Sequence, residues 1–203
     1  MNKLGIFLMI SVIFLAHNSI SAQEKCLYSY DPSQTTLEWT AFKFTEKTGV
    51  KGTMRSIIVK ETKKAKTPLD AVKNLNFKIR TDSVDSNNPG RDEKIKQFFF
   101  GSVAKNEFIQ GRFTQITGAE SGKALLNLEF NGKKQTFPVT YTIVDETVEV
   151  VGTIDVLKIG LGNGLQKLNE ACIELHKGTD GKSKLWPTVD IKVVSKLAKE
   201  CAS

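Results

Sequence analysis

Residues two apart in a strand share a face, so a strand buried on one side alternates apolar and polar positions. Eight segments pass that test. Leu37, Trp39 and Ala41 oppose Glu38 and Thr40, and Val50, Gly52, Met54, Ser56 and Ile58 oppose Lys51, Thr53 and Arg55. Leu75, Phe77 and Ile79 oppose Asn76, Lys78 and Arg80; Ile109, Gly111 and Phe113 oppose Gln110, Arg112 and Thr114. Ala124, Leu126, Leu128 and Phe130 flank Asn127 and Glu129, and Phe137, Val139, Tyr141 and Ile143 flank Thr136, Thr140 and Thr142. Val148, Val150, Gly152 and Ile154, then Val189, Ile191 and Val193, complete the set.

The connections favour antiparallel neighbours. Asn131-Gly132 between two alternating runs is a hairpin signal, because both residues tolerate positive φ, and Asp145-Glu146 makes a second tight reversal. Neither leaves room for a crossover helix. Three interruptions read as helical: Pro68 to Asn74, Arg91 to Phe100 after the breaker Asn88-Pro89-Gly90, and Gly164 to His176. In the last of these Leu165, Leu168, Ala171, Cys172 and Leu175 recur at helical spacing. The lysine-rich stretch 60–66 reads as a solvated loop. Eight strands with one apolar face each must hide it, either in a sandwich or in a sheet closed on itself, and closure removes both edges. A closed sheet of eight strands has an interior filled by side chains or holding one small ligand.

The N-terminus changes the accounting. Lys3, the apolar run from Leu4 to Ala16 and the small residues at 19–22 have the order of a secretory signal cleaved after Ala22. The run is too short to span a bilayer, which takes about 20 residues. Residues 23–203 then form one exported domain, periplasmic or secreted. They carry 28 Lys and Arg against 22 Asp and Glu. Only four of the cations are arginine (Arg55, Arg80, Arg91, Arg112), scattered among lysines with no basic block, so nucleic acid is not an expected partner. Peripheral attraction to an anionic membrane surface is compatible with such scattered charge. One histidine, His176, remains, which rules out a zinc centre with two imidazoles within this chain. Export permits one disulfide among Cys26, Cys172 and Cys201. Cys26 with Cys201 is the expected pair, since they flank the domain and a barrel tends to bring its termini together.

Several of these residues form a familiar set: Asp31, Thr36-Leu37-Glu38-Trp39, Gly49-Val50-Lys51-Gly52, Ser83-Val84-Asp85, Gly90-Arg91-Asp92, Phe98-Phe99, Phe108-Ile109, Phe113, and Leu128 to Lys133 leading to Phe137-Pro138-Val139. In them the chain resembles the YceI-like family, lipocalin-like barrels of exported bacterial proteins that bind polyisoprenoid lipids. It departs from that pattern at Lys94-Ile95, where the family often has a His-Leu step, in lacking a Pro before the fourth strand, and in its longer stretch from 162 to 184. The resemblance implies an all-β fold, an eight-stranded antiparallel lipocalin-like β-barrel with short helical insertions, and a lengthwise apolar tunnel. The ligand it implies is a long-chain polyisoprenoid or isoprenoid quinone, stored or transported by a monomer or homodimer. No catalysis and no cofactor is expected.

The expected tunnel lining is Trp39, Met54, Phe77, Ile79, Phe113, Leu126, Phe137, Tyr141 and Val150. Arg91-Asp92 is either an ion pair at the tunnel mouth or, with Asp92 in a first helical turn, a dipole-complementing cap. Phe98-Phe99-Phe100 is either a lid over a ligand or a plug. Two other classes compete. A thiol-dependent secreted enzyme would use Cys172 and His176, four apart on one helical face; a ligand-free structural module would have the same side chains fill the barrel solidly.

Overall fold

A computed structural model of the chain describes residues 25–202. The expected signal, 1–22, lies outside them. Strands β1 (Lys25–Ser29) and β12 (Ala198–Ala202) form a two-stranded sheet of their own. The other ten form one curled antiparallel sheet: β2 (Thr35–Lys43), β3 (Thr48–Met54), β4 (Ile57–Val59), β5 (Asn76–Arg80), β6 (Val84–Asp85), β7 (Phe108–Gly118), β8 (Ser121–Phe130), β9 (Lys133–Val144), β10 (Thr147–Asp155) and β11 (Leu185–Lys196). The protein is mostly β, as alternation predicts, and lipocalin-like in the curl of its sheet.

The expected strand count of eight is corrected, and the reason is local. The run 50–58 is broken at Arg55-Ser56 into β3 and β4, and β6 continues β5 beyond a turn at Thr81–Ser83. β4 and β6 stand at the two ends of the strand order, and the breaks tie those ends together. Arg55 N–H donates to Ser83 O at 3.0 Å and Arg80 N–H to Ser56 O at 3.1 Å, while the Arg55 guanidinium pairs with the Asp85 carboxylate. The break also inverts the faces. Alternation through 50–58 places Ile58 inside, but the break shifts the parity by one residue, so Ile57 and Val59 turn inward with Met54 and Ile58 is 39% exposed. A bulge in β7 between Thr114 and Thr117 acts similarly, so Phe113 and Ile116 both face in.

Two different structures cover the ends of the curl. At one end the β1/β12 pair is fastened by the disulfide between Cys26 and Cys201, as expected, and Cys172 is a buried free thiol. Helix α1 (Pro68–Val72) packs against β1 there, started by Thr67, whose hydroxyl accepts the Asp70 N–H at 3.1 Å. At the opposite end, helix α2 (Pro89–Lys94) runs into a π-helical turn (Ile95–Phe99) and a 3₁₀ turn (Phe100–Ser102), against which helix α3 (Gly162–Ala171) packs. Gly164 permits that contact: a β-carbon there would collide with the carbonyl oxygen of Phe99. Phe130 and Leu161 are the largest fully buried side chains, and Phe100 meets Phe130 edge to face at 6.1 Å. Phe100 thus belongs to a plug at the helix end.

Candidate functional site

The interior between the two ends is hollow. A cavity of about 280 Å³ runs inside the sheet, from Tyr30, Thr35 and Ser195 at the disulfide end to Phe99, Leu165 and Trp186 at the helix end. Its volume lies at the lower edge of ligand pockets, roughly 300–1,000 Å³. Its length is the greater dimension, since Thr35 and Phe42 line opposite ends of β2, and seven residue steps of strand span about 23 Å. The wall is almost wholly apolar, and its few polar groups are largely satisfied. Thr35 and Ser195 hydroxyls bond each other at 2.8 Å. The indole N–H of Trp39 donates to Thr53 O at 3.2 Å, and the Tyr141 hydroxyl to Thr117 O at 3.0 Å. The rings are thereby left to the void while their polar atoms are held by backbone. Burial pushes the Tyr30 phenol upward, with a smaller opposing effect from Thr35.

Trp39 reaches the wall because β3 presents Gly52 opposite it: a β-carbon at 52 would collide with the indole. Eight of the nine expected lining residues, Trp39, Met54, Phe77, Ile79, Phe113, Leu126, Tyr141 and Val150, border the cavity. Phe137 does not. It is 3% exposed and packed within the buried cluster that also holds Leu126, Phe130 and Val139. Alternation also omitted the helical share of the wall, Ile95, Phe99, Leu165 and Leu168, because period two carries no information about elements that cover an end.

The cavity adjoins a second one of about 420 Å³ at the helix end, with which it shares Trp39, Ala41, Phe42, Ile95, Leu168 and Leu185. This vestibule adds Lys43, Arg91, Lys94, Cys172 and His176. Arg91 is held in place: its Nε donates to Ser86 Oγ at 2.7 Å and its Nη2 to Ser86 O at 2.8 Å. Ser86 in turn donates its N–H and its hydroxyl to the buried Asp92 Oδ1, at 2.9 and 2.5 Å. Arg91 and Asp92 therefore meet through one serine and not as a direct ion pair; Asp92 stands in the first turn of α2, where its charge complements the dipole as the second reading expects, and the side chain that caps α2 is Asn88, accepting the Arg91 N–H at 3.0 Å.

The thiol and imidazole are not arranged as a nucleophilic pair. Helix α3 ends at Ala171, and His176 follows a 3₁₀ turn (Ile173–Leu175), so the two do not share a helical face. The His176 ring bonds Asn169 Oδ1 through Nδ1 at 3.1 Å, and no hydrogen bond joins it to Cys172 Sγ among the described residues. Because Asn169 Oδ1 is an acceptor, Nδ1 carries the proton. Burial first, then the charges of Lys43 and Lys94, push His176 down to about 4. No cluster of His, Cys, Asp and Glu suited to a metal occurs among the described residues, and no helix there is long and apolar enough to cross a membrane.

Comparison with family models matches residues 28–194 to the YceI-like domain. Among solved structures, a polyisoprenoid binding domain from Saccharophagus degradans implicated in plant cell wall breakdown superposes with a TM-score of 0.58 at 12% identity, over 89% of this chain and 100% of that one. BcnA of Burkholderia cenocepacia gives 0.59 at 15%, over 84% and 99%. The YCEI protein of Campylobacter jejuni gives 0.51 at 14%, over 97% and 99%. A comparison with curated proteins gives no match.

Proposed function

Because the chain belongs to the YceI-like family and encloses an apolar void, we propose that it is an exported binding protein that holds the tail of a long-chain polyisoprenoid lipid, for storage or carriage between membranes, and leaves it chemically unchanged. The observation that carries this reading is the cavity: long, narrow, walled by aromatic and aliphatic side chains, with its polar atoms turned to backbone. A hydrocarbon needs only such a wall. Burying a methylene is worth about 0.8 kcal/mol, so a five-carbon isoprene unit contributes about 4 kcal/mol before the cost of ordering it. Trp39, Met54, Phe77, Ile79, Phe113, Leu126, Tyr141 and Val150 are the proposed tail contacts. The fold neighbour described as polyisoprenoid binding supports the same class of ligand.

Organic extraction of the purified protein, followed by mass spectrometry, tests the reading. We expect an isoprenoid lipid in near-stoichiometric amount, or its uptake when the stripped protein meets labelled isoprenoid. Recovery of none together with no uptake refutes it. N-terminal sequencing of the product exported from cells tests the leader, with Gln23 expected first.

A further inference from the structure

The vestibule is cationic with nothing anionic in its lining. Lys43, Arg91 and Lys94 line it, and neither Asp nor Glu does. The surrounding carboxylates are engaged elsewhere: Asp92 by Ser86, Glu93 by Lys96, Glu174 by Lys177, Glu170 by Gln166, and Asp180 by Thr45 and the Lys182 N–H. Lys94 has no ion pair or hydrogen bond from its side chain among the described residues. Lys43 donates to the Leu175 carbonyl at 3.0 Å and lies 4.4 Å from the centre of the Phe44 ring, with no carboxylate partner. Arg91 spends two donors on Ser86 and keeps others free, since a guanidinium has five. Of the charges acting on His176 from the elements around it, those that count are Lys43 from β2 and Lys94 from α2, and both are positive. Partly buried like charges at the rim of a greasy channel repel one another and cost stability unless something of opposite sign joins them.

We propose that the vestibule binds an anionic head group, a phosphate or carboxylate, attached to the tail in the neighbouring cavity. This rests on the tail reading and deepens it: the preferred lipid is an anionic amphiphile, in place of a neutral quinone or alcohol. Lys43 and Lys94 supply charge and Arg91 directed donors, while the shared wall of Trp39, Ala41 and Phe42 leads from head to tail.

Titration calorimetry on the delipidated full chain, with four probes, tests this: farnesyl monophosphate, farnesol, a short-tailed ubiquinone and inorganic phosphate. At low salt we expect the phosphate monoester to bind at least tenfold more tightly than farnesol or the quinone, about 1.4 kcal/mol or more. The double variant Lys43→Gln with Lys94→Gln should lose most of that preference while retaining farnesol binding, and Lys94→Arg should keep it. Unchanged circular dichroism verifies that the variants fold. Equal binding of farnesyl monophosphate and farnesol overturns the proposal, as does a preference that survives the double substitution. Inorganic phosphate binding as tightly as the monoester assigns the site to the free ion and overturns the head-group assignment. Failure of every isoprenoid to bind overturns the tail reading, and this one with it.

Discussion

Ala124 on β8 is 5% exposed and borders the cavity. Replacing it with leucine adds three carbons on the side of the void. If that space is open, their burial contributes about 2.4 kcal/mol, offset by about 0.5–1 kcal/mol for ordering the new side chain. The net, about 1.5 kcal/mol, corresponds to a rise of about 3–6 °C in the unfolding midpoint for a chain of this size. A close-packed interior gives the opposite sign, a loss of about 1–3 kcal/mol. The assay is thermal and urea unfolding of solvent-extracted protein, since any ligand held in the cavity would stabilise the parent and mask the gain. On the proposed function, isoprenoid uptake by Ala124→Leu should also weaken, because the leucine would occupy space the tail needs. A lower midpoint in the stripped variant refutes the argument that the wall at β8 faces a void.

Further outcomes follow from other features. Leu126, 2% exposed, should cost about 2–5 kcal/mol when cut to alanine, read as a lower urea midpoint at unchanged slope. Opening the Cys26–Cys201 disulfide, which closes 175 residues, should cost about 5 kcal/mol on the chain-entropy model, seen by comparing parent and Cys26→Ser/Cys201→Ser unfolding without reductant. Burial, and then the nearby lysines, hold His176 near 4, so the folded chain takes up that proton less readily than the unfolded one. The stability of the neutral ring is complete above about pH 6.5 and is lost as pH falls towards 4. Between pH 7 and 4.5 the parent should lose more stability than His176→Gln, and equal losses count against the argument. Asp92→Ala strips Ser86 of its acceptor and should cost about 1–3 kcal/mol in the same unfolding assay.

The fold was legible wherever one face of a strand meets the interior and the other meets water. Leu126 and Leu128 or Val148 and Val150 announce themselves through their polar neighbours. The β1/β12 pair carries no such signal, because β12 is exposed throughout and β1 is at most half-buried. Only the cysteine positions hinted at it. The breaks at Arg55-Ser56 and Thr81–Ser83 were hidden for another reason: each preserves an acceptable pattern on either side, and only pairing reveals the slip. Ile58 was misplaced for that reason. Phe137 was misplaced because alternation says which face a residue is on and not whether that part of the interior is hollow or filled, which depends on buried side chains brought in from elsewhere in the chain. The vestibule joins β2, α2 and α3, segments more than 40 residues apart, so sequence proximity could not assemble Lys43, Lys94 and His176.

Both ends of the described chain emerge at the disulfide pair, and the cationic vestibule opens at the other extreme of β2, eight residue steps or about 26 Å of strand away. A tag or surface tether at either terminus therefore holds the molecule by its stapled foot and turns the vestibule outward. Immobilised in that pose, the protein offers Lys43, Arg91 and Lys94 to whatever is passed over the surface, a convenient geometry for testing ligands against that end alone.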